Sequence, residues 1–279
     1  MIRLSTGCPL TTHPNSKNFF PDNLTERMEV IQQLGFEAYE IDGALVLNQY
    51  EDVKKAVKKT NIAISTICAG NRGWIGDFCD YQRRLAVEDI TIILERAGEL
   101  GATGIVVPAA FKMFSIPLAA PTPPPRPPEE DTRVLIDTLS KLEPIAKRTG
   151  TKILLEPANR YANHMLNTLA EAKSIIQEGN LTETLVVADF YHMNMEEKSI
   201  VGAIEETGAL LGHVHLADNN RFQPGEGMTD FVSGFKALVS INYSGYLAFE
   251  CMVTGIDPIK EYRRSVEYIR ERLAEAKLK

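Results

Sequence analysis

The chain has 279 residues, of which 44% are hydrophobic and 24% charged, and its 37 acidic and 30 basic residues give a net charge of −7. This composition is typical of a soluble globular protein. An acidic chain without a basic block is not expected to bind nucleic acid or an anionic membrane surface. Apolar runs such as Ile105–Val107 end far short of the roughly 20 residues that a membrane-spanning helix needs.

Cysteine usage and the start of the chain indicate a reducing compartment. The four cysteines are scattered without a Cys-x-x-Cys pair. The first residues pass directly into a strand-like run, without the hydrophobic segment of a signal peptide. We therefore expect a cytoplasmic protein.

Short apolar runs alternate with longer amphipathic segments along the whole chain. Between the first two runs, Leu24–Leu34 has apolar residues three and four positions apart, which predicts a helix. Leu-Gly pairs at Leu34-Gly35 and Leu100-Gly101 are typical helix ends. The predicted strands are Ile2–Cys8, Phe36–Asp42, Ile62–Cys68, Gly104–Ala109, Lys152–Pro157, Leu185–Phe190, Gly212–Ala217 and Tyr246–Cys251.

Eight strand-then-helix units in a chain of this length predict a (β/α)₈ TIM barrel. A doubly wound sheet is the competing fold, and it usually carries a glycine-rich phosphate loop after its first strand. Here the first turn, Gly7–Thr12, lacks the Gly-x-Gly-x-x-Gly pattern. The sequence therefore favours a single TIM-barrel domain over residues 1–279.

One segment of biased composition follows the fourth predicted strand. Pro117–Pro128 contains 7 of the 15 prolines, so it is expected to be stiff and extended on the functional rim of the barrel. Two interpretations stay open: a semi-rigid surface loop, or a lid or subunit contact in a homo-oligomer.

Four side chains that could bind a hard metal stand at matching places on the last four predicted strands. They are Glu156, Asp189, His215 and Glu250, and each follows an apolar run. Each should therefore lie at the C-terminal mouth of the barrel, where such enzymes place their functional groups. A single carboxylate there is often only a solvated residue or a helix cap, but four consecutive strands with such residues predict a metal site. Three carboxylates and one imidazole suit Mn²⁺ best, or else Mg²⁺ or Co²⁺, with one ion per subunit.

Three further polar residues accompany the predicted ligands. His192 lies three residues after Asp189, and Arg221 follows the seventh strand, where its alternative is a salt bridge with Asp218. His213 shares the inward face of its strand with His215 and lies deeper. That position suits a side chain that orients a metal ligand, although a buried histidine of the core is equally compatible.

The second half of the chain resembles the xylose-isomerase-like barrel superfamily, in particular its ketose 3-epimerases. The resemblance is carried by Glu156–Tyr161, by Asp189–Glu197, and by Gly212–Leu216 with the Pro224–Gly227 turn. It implies that Glu156, Asp189, His215 and Glu250 hold a metal. It also implies that Glu156 and Glu250 exchange a proton with a sugar, while His192 and Arg221 bind the oxygens of the sugar.

The implied reaction moves the proton at C3 of a ketose through a cis-enediolate, with the metal as Lewis acid. Two departures from the family concern the identity of the sugar: Ala162 stands where a glutamate usually contacts the substrate, and Cys251-Met252 follows the last glutamate. Alternatives are another sugar or keto-acid isomerase, or an inosose dehydratase, of the same superfamily. Less favoured are an abasic-site endonuclease, which needs histidines where Asp42, Cys68 and Pro108 stand, and a non-catalytic sugar-binding barrel.

Overall fold

The computed structural model describes residues 2–11, 14, 18–113 and 124–278. Eight parallel strands form a closed barrel in chain order, and the first strand pairs with the last. The strands are β1 Arg3–Thr6, β2 Ala38–Asp42, β3 Ala63–Cys68, β4 Gly104–Pro108, β5 Lys152–Glu156, β6 Thr184–Asp189, β7 Leu211–Leu216 and β8 Tyr246–Phe249. The predicted TIM barrel and its eight strands are thereby confirmed, with ends that differ from the prediction by at most two residues.

Helices connect the strands and surround the barrel. They are α1 Leu24–Gln33, α2 Gly43–Asn48, α3 Tyr50–Thr60, α4 Asp80–Leu100, α5 Pro128–Thr149, α6 Leu169–Glu178, α7 Phe190–Glu196, α8 Ile200–Thr207, α9 Phe231–Ser240 and α10 Pro258–Lys277. Among the described residues, none of these helices has the length and apolarity to cross a membrane.

Local signals explain where the helices begin and end. The Asn23 side chain accepts the N–H groups of Thr25 and Glu26 at 3.0 and 3.1 Å and so caps α1, which ends one residue before Leu34. Gly101 ends α4 in the left-handed conformation, with φ +69°, which glycine adopts without steric cost. Both predicted helix ends are confirmed.

Alternation along the strands separates two apolar layers. A large core of helix and strand side chains fills the space between the barrel and the helices. Val106, Leu154 and Val187 form a separate small cluster, against which Cys68 packs. Because successive strand residues point to opposite faces, these residues line the inside of the barrel. This apolar cluster lies inside the barrel, below the polar side chains at the C-terminal ends of the strands.

Part of the proline-rich segment, residues 117–123, lies outside the described residues. Its end is held by Arg126, whose side chain donates to the Asp131 carboxylate at 2.7 Å and to the carbonyls of Gly76 and Asp77 at 2.6 and 3.1 Å. The same guanidinium lies over the Phe78 ring. The end of this segment is thus attached to the loop that follows β3.

Candidate active site

The ends of the last four strands bring the four predicted metal ligands to one mouth of the barrel. Glu156 and Asp189 are the last residues of β5 and β6, and the Cα atoms of Asp189 and His215 are paired across β6 and β7. Glu250 follows β8 directly, and its N–H donates to the Leu216 carbonyl at 3.1 Å. Strand register alone therefore places these side chains side by side.

The three carboxylates of the set surround the Nδ1 atom of His215. This atom lies 2.8 Å from Glu156 Oε1, 3.2 Å from Glu250 Oε2 and 3.8 Å from Asp189 Oδ2. One ligand atom from each residue lies within 4.8 Å of every other. His215 and Asp189 are buried, while the Glu250 side chain keeps 19% of its surface exposed. The set is closed from below and open towards the mouth.

Arg221 is placed directly on two of these carboxylates. Its guanidinium donates to Asp189 Oδ2 at 2.5 Å and also to Glu250 Oε2. It lies 4.6 Å above the Tyr191 ring centre. The Arg221 side chain thus pairs with Asp189 and Glu250, and the alternative prediction of a salt bridge with Asp218 is wrong. Arg221 has φ +66°, a conformation that non-glycine residues rarely adopt and that tends to occur at functional sites.

The loop after β7 is built around the buried carboxylate of Asp218. Its two oxygens accept backbone N–H groups of the loop, Oδ1 from Asn219 and Thr229 and Oδ2 from Gly225 and Gly227. A Cβ atom at Gly227 would come within 2.4 Å of Asp218 Oδ1, so only glycine fits there. The Pro224–Gly227 turn therefore wraps this carboxylate, and the loop presents Arg221 to the cluster.

His192 is the second predicted substrate contact, and it faces the cluster from α7. Its Nδ1 accepts the backbone N–H of Asn159 at 3.1 Å and contacts the Asn159 side chain at 2.7 Å. A backbone N–H can only donate, so Nδ1 is the acceptor and Nε2 carries the proton. That Nε2 lies 3.8 Å from Asp189 Oδ2, which leaves an N–H donor at the edge of the cluster.

A salt bridge holds α7, the helix that carries His192, against the loop that follows β5. The Arg160 side chain makes a two-pronged contact with Glu196 of α7, at 3.0 and 2.8 Å, and the backbone N–H of Arg160 donates to the same carboxylate at 2.7 Å. Asp189 also caps α7 by accepting the N–H of Tyr191 at 2.8 Å. Asp189 thus combines the helix-cap role with its place in the cluster.

Glu40 is a buried charge of the site that sequence analysis missed. It lies in the middle of β2, and its Oε2 is 2.9 Å from His213 Nε2 and 3.1 Å from His215 Nε2. His213 therefore lies below His215, at the predicted depth. A signal was present, because Glu40 places a charge between the apolar residues Tyr39 and Ile41 at the centre of the strand.

Burial and charge shift the pKa values of the cluster in opposite directions. Burial raises the pKa of Glu156 to about 7, and the charges of Glu250 and Asp189 add to this shift. Burial lowers the pKa of His215, but Glu40 and its other carboxylate neighbours outweigh this effect and raise it well above its ordinary value. The carboxylates thus draw positive charge to the His215 position, as a cation site requires.

The donor set fits one divalent metal ion. Three carboxylates carry −3 when ionised and the Arg221 guanidinium carries +1, which leaves −2 for the ion to neutralise. Oxygen donors with a single imidazole are typical ligands of Mn²⁺ and Mg²⁺. The identity of the metal is part of the proposal below.

Residues 28–272 match the family described as xylose isomerase-like TIM barrel. The chain belongs to this family. The chain is similar to the 3-dehydro-D-guloside 4-epimerase of Escherichia coli. The two sequences are 45% identical over 90% of this chain and 96% of that protein. Another similar protein is the D-psicose 3-epimerase of Ruminiclostridium cellulolyticum, 34% identical over 42% of this chain and 40% of that protein. These relatives are epimerases, and the chain is accordingly an enzyme of the isomerase class.

Two solved structures agree with the fold. The apo crystal structure of 3-keto-D-glucoside 4-epimerase from E. coli has 42% identity to this chain and a TM-score of 0.91, covering 97% of this chain and 100% of that one. A D-psicose 3-epimerase solved with D-fructose has a TM-score of 0.81 at 21% identity and covers 98% and 99% of the two chains. The second likeness shows the fold alone.

The family departure at Ala162 is visible in the structure. Its N–H donates to the Asn159 carbonyl at 2.9 Å, and its own carbonyl accepts the N–H of Lys112 at 2.8 Å. Ala162 thus joins the loops after β4 and β5, and its methyl group brings no charge to this part of the rim.

Proposed function

We propose that the protein is a metal-dependent sugar epimerase that inverts C4 of a 3-keto-hexopyranoside, by moving the proton on the carbon beside the ketone. The observation that carries the proposal is the approach of two carboxylates, Glu156 and Glu250, to one atom, His215 Nδ1, at 2.8 and 3.2 Å. The choice of C4 is supported by the relative that matches 90% of the chain, because its name describes a 4-epimerase.

A ketose 3-epimerase, the reaction expected from the sequence, is the second candidate. It is favoured by the match of 118 residues to a D-psicose 3-epimerase. The two reactions share their chemistry, since both remove and return a proton on a carbon next to a ketone. They differ in where the ketone and the rest of the sugar lie, so the same two glutamates serve either one.

Epimerisation needs a base on one face of the planar enediolate and an acid on the other. Glu156 comes from β5 and Glu250 from the end of β8, with β6 and β7 between them. The two carboxylates can therefore reach the substrate from different sides of the mouth. A metal held by Glu156, Asp189, His215 and Glu250 would act as a Lewis acid for the negative charge of the enediolate.

His192 and Arg221 are proposed to bind the oxygens of the sugar. His192 presents its Nε2–H at the edge of the cluster, and Arg221 presents a guanidinium held in place by Asp189 and Glu250. Donors fixed in advance stabilise a developing oxyanion more than mobile ones do. The arrangement thus suits the oxygens that carry charge in the enediolate.

The remaining candidates make different demands on the site. An abasic-site endonuclease would need further metal ligands on the early strands, but Asp42 at the end of β2 accepts the N–H of Ala44 at 2.6 Å and caps α2. A non-catalytic sugar-binding barrel would not need an acid–base pair, so it leaves the contacts of Glu156 and Glu250 with the His215 imidazole unexplained. An isomerase or an inosose dehydratase would use the same groups. The position of isotope labelling separates an aldose–ketose isomerase from an epimerase, and a dehydratase is recognised by the loss of water from its product.

The experiment is turnover in D₂O with methyl 3-keto-α-D-glucoside and, separately, with D-psicose. We expect deuterium at C4 of the keto-glucoside, with both C4 epimers present at equilibrium. Glu156→Gln and Glu250→Gln should lower epimerisation by at least about 10²-fold, the lower end of the usual effect of a general acid or base. Metal content is measured beside activity, because both variants alter a proposed ligand.

Glu143→Gln is the matched control, since Glu143 receives hydrogen bonds from residues 182–184 at the start of β6, the opposite end of that strand from the cluster. It should keep full activity. Labelling at C3 of D-psicose with none on the keto-glucoside would favour the ketose 3-epimerase. No exchange on either sugar by the metal-loaded protein would contradict both candidates.

A further inference from the structure

Three donors meet on a single oxygen of the buried Glu40 carboxylate, beneath the candidate metal centre. The Thr66 hydroxyl donates to Oε2 at 2.6 Å, and the Nε2 atoms of His213 and His215 lie 2.9 and 3.1 Å from the same oxygen. Only 2% of Glu40 is exposed. A carboxylate buried to this extent is tolerated when hydrogen bonds compensate for its lost hydration.

The chemistry of these contacts decides which nitrogen of His215 carries a proton. An ionised carboxylate only accepts, so both imidazoles present an N–H at Nε2 to Glu40. Nδ1 of His215 faces Glu156 and Glu250, so it is the nitrogen that would give up its proton to a metal ion and bind that ion with its lone pair, while the proton on Nε2 stays with Glu40. The opposite tautomer would set a lone pair 3.1 Å from the Glu40 oxygen and a proton where the metal would bind.

His213 and Thr66 hold Glu40 in this position. The rings of His213 and His215 are nearly perpendicular, at 86°, with centres 5.0 Å apart, so both reach one oxygen without stacking. Thr66 approaches from the neighbouring strand β3. Glu40 is thus fixed from two strands and cannot turn away from His215 without leaving buried donors unpaired, which costs about 1–3 kcal/mol for each.

We propose that Glu40 is a positioning residue of the metal centre, which fixes His215 in the Nε2–H tautomer and directs its Nδ1 lone pair to the ion. The inference rests on the proposed metal centre and extends it to a residue from the first half of the barrel. Groups that orient a metal-ligating histidine typically contribute about 10–100-fold to metal affinity or activity.

Two variants of similar volume separate positioning from packing. Glu40→Met removes the acceptor and should raise the dissociation constant for Mn²⁺ about 10–100-fold. Glu40→Gln keeps a carbonyl oxygen that can accept from His215, and it should recover most of the affinity. Binding is measured by titrating the folded apo protein with Mn²⁺ and following free Mn²⁺ by electron paramagnetic resonance.

Asp89→Asn is the matched control, since Asp89 is a buried carboxylate of α4 that accepts from Arg72 at 2.7 Å. It should lower the melting temperature and leave Mn²⁺ affinity unchanged. If Glu40 positions His215, Glu40→Met should differ from Asp89→Asn. Its Mn²⁺ affinity should fall by more than the decrease in melting temperature explains.

A second readout is taken on the wild-type protein and needs a variant only to assign its signal. With ¹⁵N-labelled histidine and saturating Mg²⁺, the wild-type spectrum contains only five imidazoles, and His215→Gln assigns the signal of interest. We expect His215 to be protonated at Nε2 alone. A proton at Nδ1, or wild-type Mn²⁺ affinity in folded Glu40→Met, would overturn the inference. A wild-type protein that binds no Mn²⁺ would overturn the metal centre itself, and the inference with it.

Discussion

Replacing Asp218 with asparagine is expected to release the loop that presents Arg221. Only 1% of Asp218 is exposed. Each carboxylate oxygen accepts two backbone N–H groups, three of the four at 2.9 Å and the fourth at 3.1 Å. Asparagine has nearly the same shape but one oxygen instead of two. Either orientation of its amide therefore turns an NH₂ group towards two backbone N–H donors.

The magnitude follows from those two lost hydrogen bonds. A hydrogen bond to a charged group contributes about 1.5–3 kcal/mol, so two correspond to about 3–6 kcal/mol before the loop relaxes. At roughly 2–4 °C per kcal/mol for a large domain, a loss of 3 kcal/mol lowers the melting temperature by about 6–12 °C. Relaxation of the loop reduces this fall but displaces Arg221, and misplacement by about 1 Å can lower kcat/KM by about 10²-fold.

The assay pairs differential scanning calorimetry with kcat/KM for methyl 3-keto-α-D-glucoside. Asp230→Asn is the control on the same connection, because Asp230 caps α9 by accepting the N–H of Ser233 at 3.0 Å. Asparagine is as good a cap as aspartate, so this variant should behave like the wild type. Wild-type stability together with wild-type kcat/KM in Asp218→Asn would refute the role assigned to this carboxylate.

Further predictions concern the metal, the guanidinium, the turn and the assembly. His215→Ala should lose most of its bound metal when measured by elemental analysis, and full metal content would argue against the proposed ligand set. Arg221→Ala should keep its metal and lower kcat/KM by about 10²-fold, as expected for a lost oxyanion donor; a parallel fall in metal content would make Arg221 structural. Gly227→Ala should mimic Asp218→Asn, because its Cβ would lie 2.4 Å from Asp218 Oδ1. We also propose a homo-oligomer, with the proline-rich segment at a contact or over the mouth, and light scattering that gives a monomer would contradict the contact.

Much of the fold could be read from the sequence because its signals are local. Apolar runs of four to six residues, helix-stop glycines and the alternation of strands with helical segments are properties of neighbouring residues, and together they predict a barrel. The last four strands also carry Glu156, Asp189, His215 and Glu250 at their C-terminal ends or directly beside them. Since parallel strands of a barrel end at the same mouth, their proximity followed from order along the chain.

Glu40 was missed because its partners are distant in sequence. It lies 173 and 175 positions from His213 and His215, and strand periodicity says only that a charged residue interrupts an apolar run. Which imidazole meets that charge depends on the closure of the barrel, which brings β2 and β7 to face each other across its interior.

The sequence by itself determined the eight strands, their order and the residues at their ends, since these depend on local propensity and on the two-residue period of a strand. Only the tertiary structure decided that Arg221 pairs with Asp189 and Glu250 instead of Asp218, and that His192 keeps its proton on Nε2. Both outcomes depend on which donors and acceptors meet in a buried space. Loop conformation decides these contacts, as the turn around Asp218 shows. The order of residues along the chain gives no distances within such a loop.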